Sequence, residues 1–112
     1  MSEHDRPVQT ARQSNKMLDE MLNTFKECME IAERKNHDYG GVKEDPFANF
    51  RNSTMAGVSV ERGILVRLAD KMSRISTLLD RDPRVVEESV NDTLNDAINY
   101  LAILKAYRTL NK

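Results

Sequence analysis

A chain of 112 residues with a net charge of −1 has room for one domain and one modest core, and it carries no global basic field to recruit nucleic acid. Charged residues make up 31% and apolar ones 39%, the balance of a soluble helical protein. The single Cys28 excludes an intrachain disulfide, no apolar run approaches the ~20 residues of a membrane span, and the first residues lack a signal-peptide core, so the expectation is a cytoplasmic protein.

Residues 1–13 are polar, with Pro7 and no apolar period, and read as a flexible N-terminal arm; residues 14–112 read as one α-helical domain. Ser14 is placed to cap a first helix running to about residue 35. Met17, Leu18, Met21, Leu22, Phe25, Cys28, Met29 and Ala32 recur with helical period and are the predicted core stripe of that helix. Within it, Cys28 reads as buried packing rather than as a nucleophile. The period then breaks between residues 36 and 59. Gly40-Gly41 marks a turn, Asp45-Pro46 opens a short helix over residues 46–55, and Gly57 ends it. Tyr39, Phe47, Asn49 and Phe50 lie in this connection, and rings beside Asn and Arg suit stacking on a nucleobase. The plainer alternative is that the two Phe rings plug the end of the helix pack.

Ser59 caps a second long helix over residues 60–79, with Ile64, Leu65, Leu68, Met72, Ile75 and Leu79 as its apolar stripe. Arg67, Lys71 and Arg74 recur on another face, with Asp70 beside them. Asp82 caps and Pro83 opens the last helix, which runs to about residue 110 on a stripe of Val86, Val90, Leu94, Ala97, Ile98, Leu101 and Leu104. Ile103, Tyr107 and Leu110 widen its apolar surface, which predicts a partner chain, most simply a second copy in a homo-oligomer. The fold class is all-α: a bundle of three long helices plus a short one.

The last helix carries the most informative run, Glu88-Ser-Val-Asn-Asp92-Thr-Leu-Asn-Asp96-Ala-Ile-Asn99-Tyr100. Glu88, Asp92 and Asp96 stand four apart on one helical face, with Asn99 one step on. Asp and Asn are poor helix formers, and the five in this run cost on the order of 3 kcal/mol in propensity. Like charges four apart add to that cost. The short turn at residues 81–83 makes the last two long helices antiparallel, so the acidic stripe faces Arg67, Lys71, Arg74 and Asp70. Two outcomes follow. The bases neutralise the acids in an interhelical ion-pair ladder. Alternatively the carboxylates hold Mg²⁺, and metal and bases together hold a polyphosphate. Zinc-ligand spacing, a Gly-rich phosphate loop and a helix-turn-helix signature are absent from the sequence.

Four segments carry a resemblance: Lys35-Asn-His-Asp38-Tyr39, Asp45-Pro-Phe47-Ala-Asn49-Phe50, Asp70-Lys71-Met-Ser-Arg74-Ile, and the run from Glu88 to Tyr100. Together they resemble the nucleotide modification-associated domain found in many bacteriophage proteins, itself similar to the MazG-like all-α nucleoside triphosphate pyrophosphatases. The resemblance covers roughly residues 20–107. It implies an oligomeric helical bundle that binds a nucleotide with Mg²⁺, as a pyrophosphohydrolase of phage nucleotide metabolism. By matching motifs, Asp70, Glu88, Asp92 and Asp96 are the implied metal ligands, with Glu88 and Asp92 the catalytic candidates. Lys71, Arg74 and Arg67 are the phosphate candidates. Tyr39, Phe47, Asn49, Phe50, Asn99 and Tyr100 are those for base and sugar. The chain departs from the MazG pattern in two respects. Glu61 and Asp70 are too far apart to form its first Glu-x-x-Glu pair, and Thr93 stands where the second pair has Glu. Those departures keep open a non-catalytic alternative, a phage protein that sequesters a nucleotide signal.

Overall fold

The computed structural model describes residues 8–38, 47–81 and 83–112, with side chains at 15–36, 47, 50–81 and 89–112. The element order is α1 (Val8–Asp38), a 3-10 helix (Ala48–Ala56), α2 (Val60–Leu79) and α3 (Pro83–Leu110); the described residues contain no strand. The all-α expectation of three long helices and a short one holds. The Gly40-Gly41 turn, the Asp45-Pro46 start and the Asp82 cap lie outside the described residues.

α1 begins at Val8, well before the expected start at Ser14, so residues 8–13 of the expected arm are helical. No Gly or Pro interrupts the chain between Val8 and Asp38, and Ala11, Arg12 and Gln13 are good helix formers. The short helix is 3-10 rather than α and ends where Gly57 adopts the left-handed conformation, φ 77°. A non-glycine residue is disfavoured there. Ser59 caps α2 as expected: its Oγ accepts a hydrogen bond from the Arg62 N–H at 3.2 Å.

α2 and α3 run antiparallel. Glu61 pairs with Arg108, Lys71 with Asp96, and Phe50 under Arg67 meets Tyr100, so numbers that rise along α2 fall along α3. The core lies between them. It holds Val60, Ile64 and Ile75 from α2, Val90 and Ala97 from α3, and Phe47 at the open end. Ile64 is fully buried. The 3-10 helix rests on α2 at Gly63, where an added Cβ would meet the Ser53 side chain at 2.5–2.7 Å. Only a missing side chain permits that approach.

Among the described residues, α1 docks on α3 alone. Of its predicted core stripe only Cys28 is buried; Met17, Leu18, Met21, Leu22, Phe25 and Met29 are exposed, because α3 reaches just one edge of the apolar face. Leu65, Met72 and Leu79 of α2 and Leu94 and Leu101 of α3, also expected inside, are exposed as well. Among the described residues no helix is long and apolar enough to cross a membrane.

Candidate functional site

The acidic run of α3 faces the basic run of α2, and its centre is Asp96. Lys71 Nζ stands 3.2 Å from Asp96 Oδ2, and Lys35 Nζ from α1 stands 3.4 Å from Oδ1. Each carboxylate oxygen therefore has its own ammonium, delivered by a different helix. The Lys71 and Asp96 side chains are 30% and 26% exposed, which shields the pair from solvent more than an ordinary surface bridge. One carboxylate thus meets two ammonium groups. An ammonium carries three donors, so both lysines keep hydrogen-bonding capacity for an added anion.

One helical turn along the same two helices lies an aromatic cluster. Phe50 meets Tyr100 edge to face, centroids 6.2 Å apart at 84°, and the Arg67 guanidinium carbon sits 5.1 Å from the Phe50 ring centre. Arg67 precedes Lys71 by four residues and Tyr100 follows Asp96 by four, so the cations and rings form one continuous strip. The guanidinium over the ring is a cation–π contact. Phe47 behaves differently: it is buried and packs edge to face on Tyr107 at 5.2 Å. It plugs the end of the helix pack, the plainer of its two expected roles.

A polar clip centred on the buried Cys28 and on the buried Asn95, the residue before Asp96, fastens α1 to α3. The Cys28 thiol donates to Asn95 Oδ1 at 3.5 Å and lies 3.8 Å from the Asn95 carbonyl oxygen. Asn95 Nδ2 donates to Glu27 Oε2 at 3.3 Å, and Asn99 Nδ2 donates to the Cys28 carbonyl at 3.2 Å. Burial, then the nearby carboxylates of Glu27 and Asp96, push the Cys28 thiol above its usual range. It stays protonated and serves as a donor, in keeping with a packing role. Thr93 is buried too, its hydroxyl donating to the Ser89 carbonyl at 2.7 Å. No described buried side-chain nitrogen or oxygen lacks a partner.

The sequence-predicted residues thus divide. Lys71, Arg67, Asp96, Phe50 and Tyr100 come together in the strip. Asp70, Arg74 and Asp92 are exposed on α2 and α3. Asn99 uses its amide nitrogen to hold α1. Tyr39 and the side chains of Asn49 and Glu88 lie outside the described residues. A Mg²⁺ site needs several oxygen ligands around one point. Among the described residues no three of His, Cys, Asp and Glu gather in that way, and both Asp96 oxygens already meet lysines. Of the four expected ligands, the Glu88 side chain lies outside the described residues, and Asp70, Asp92 and Asp96 form no such group among them.

Lys35, Asn95 and Glu27 were missed as site residues. Lys35 opens the first of the resembling segments, seven residues after Cys28 and hence on the same helical face, which was the available signal. Set against protein-family models, curated proteins and solved structures, the chain matches none.

Proposed function

We propose that this chain binds a nucleotide in the strip between α1, α2 and α3. The observation that carries the reading is Asp96 flanked by Lys35 and Lys71, one turn from Phe50, Tyr100 and Arg67. The ammonium groups suit phosphate oxygens through charge-assisted hydrogen bonds. The rings and the guanidinium suit a base, which stacks on flat apolar or cationic surfaces. Asp96 holds the two lysines in place before the ligand arrives, which lowers the ordering cost of binding. The resemblance to the phage nucleotide modification-associated domain supports the same ligand class.

Holding the nucleotide intact is favoured over cutting it, because the cations at Asp96 suit phosphate while the described carboxylates do not converge on one point. The second reading is a Mg²⁺-dependent pyrophosphohydrolase. It draws on Asp92, exposed one turn before Asp96 on the same face of α3. A panel of nucleoside mono-, di- and triphosphates, cyclic dinucleotides and ADP-ribose derivatives, titrated with and without Mg²⁺, tests both. The expected result is binding with ligand recovered intact. Lys35→Ala and Lys71→Ala should each weaken a triphosphate about tenfold while changing nucleoside binding little, since each removes a charge-assisted bond to phosphate. Mg²⁺-dependent release of pyrophosphate, abolished by Asp92→Asn, would favour the hydrolase. No binding across the panel would refute the nucleotide reading.

A further inference from the structure

Among the described side chains, α1 meets the rest of the molecule along one narrow edge. Thr24, Cys28, Ile31 and Lys35 recur at steps of four, three and four residues and so form one ridge of the helix. Cys28 is buried, and Thr24 and Ile31 are half-buried. Lys35 ends the ridge two turns beyond Cys28, roughly 10 Å along the axis. Where Lys35 stands therefore depends on where the clip holds Cys28.

Little else secures α1. Among the described residues it packs on α3 and on neither α2 nor the 3-10 helix. Its polar ties are the clip hydrogen bonds through Asn95 and Asn99 and a bridge whose Lys35 side chain is 56% exposed. An element held in this way opens locally more readily than one set in a packed core. Lys35 and Lys71 meet opposite oxygens of one carboxylate on α3, so α1 and α2 are linked only through α3. An anion held between the two ammonium groups would add the direct bridge that is missing.

We propose that α1 is a clasp whose docking on α3 is coupled to phosphate binding. A polyphosphate engages Lys35 and Lys71 together only while α1 is docked, and once bound it holds α1 down. Asn95 is then a positioning residue. It is 7% exposed and its side chain is taken up by Cys28 and Glu27, so it acts on the ligand through Lys35 rather than by touching it. The coupling is reciprocal: whatever loosens α1 weakens the polyphosphate, and the polyphosphate tightens α1 by the same factor. This inference rests on the phosphate reading of the strip, and the two can fail separately.

Inorganic tripolyphosphate, which has no base, is the probe. The full chain and its variants are titrated by calorimetry, with far-UV circular dichroism for helix content and amide exchange followed with and without the probe. At about ten times its Kd, tripolyphosphate should slow exchange in α1 around Cys28 and Ile31 about tenfold, as expected of a ligand that binds only the docked form. Lys35→Ala should lose that protection. Asn95→Ala should raise the Kd about fivefold or more, and should change nothing further in a Lys35→Ala background. A merely structural loss would weaken both backgrounds alike. If Asn95→Ala loses helix content, Asn99→Ala, which removes the bond to the Cys28 carbonyl, takes its place in the cycle. Arg108→Gln, which breaks the bridge to Glu61 far along α3, should leave the Kd unchanged. Binding without protection of α1, or an Asn95→Ala effect undiminished by Lys35→Ala, would overturn the clasp and leave the phosphate reading standing. Failure of tripolyphosphate to bind would overturn the clasp as well; if the nucleotide panel also failed, the nucleotide reading would fall with it.

Discussion

The α2–α3 pair and α1 are joined to the molecule by different forces. α2, α3 and the 3-10 helix share an apolar core built on Ile64, Val60, Ala97 and Phe47. α1 carries a long apolar stripe of which, among the described side chains, only Cys28 is buried; its tie to α3 is the Cys28–Asn95–Asn99 clip with the Lys35–Asp96 bridge beside it. Apolar burial is insensitive to direction and grows with area, so α2 and α3 are secured along their length. Hydrogen bonds are directional and contribute about 1 kcal/mol each net, so α1 is fixed in register but held lightly. That combination suits an element that brings Lys35 to the strip.

The largest test of the contrast is Ile64→Ala. It empties the centre of the α2–α3 core and should cost about 2–5 kcal/mol, seen as one cooperative loss in urea unfolding. Next comes Asn95→Ala, which removes the side-chain bonds to the Cys28 thiol and the Glu27 carboxylate and leaves the thiol only the backbone carbonyl of residue 95. A cost of about 1–3 kcal/mol is expected, with faster amide exchange in α1 than in α2 and α3. Equal acceleration in all three helices would break the comparison.

Gly63→Ala sets two effects against each other. Alanine is the better helix former by about 1 kcal/mol. Its methyl, however, would sit at 2.5–2.7 Å from Ser53 atoms, including the Ser53 Cβ, so the 3-10 helix must move. Overpacking of this kind costs about 1–3 kcal/mol, and a small net loss of stability is expected in thermal melts. The strip should suffer more, because Phe50 rides on the same 3-10 helix. Stabilisation by Gly63→Ala would mean that the approach is loose.

The smallest effect is a pH dependence. The folded state holds the Cys28 thiol protonated beyond its ordinary value of 9.0. Above that value the unfolded chain has lost the proton and the folded chain has kept it. Stability from this group is therefore complete below pH 9 and falls as pH rises through the folded pKa. Cys28→Ala should flatten the alkaline limb of a stability–pH curve, and the native thiol should react slowly with iodoacetamide at pH 8. Rapid alkylation of the folded protein would show α1 opening away from Asn95.

Local chemistry was enough to read three long helices and a short one from the sequence, though not the start of α1 or the 3-10 geometry of the short one. Gly57 ended the short helix and Ser59 opened α2 where expected, because a left-handed glycine and a cap act over three or four residues. The facing of Lys71 and Asp96 also followed, since a short turn between two periodic helices leaves few ways to pair them. Tertiary structure alone decided which apolar stripes were covered. Helical period shows that Met21, Phe25 and Met29 share a face; it says nothing of what lies opposite, and α3 meets only the Cys28 edge. The same holds for Asn95 and Lys35. Asn95 is a poor helix former, and only its distant partners Cys28 and Glu27 account for its burial. Lys35 gains its role from Asp96, 61 residues away in sequence, through packing that no local pattern encodes.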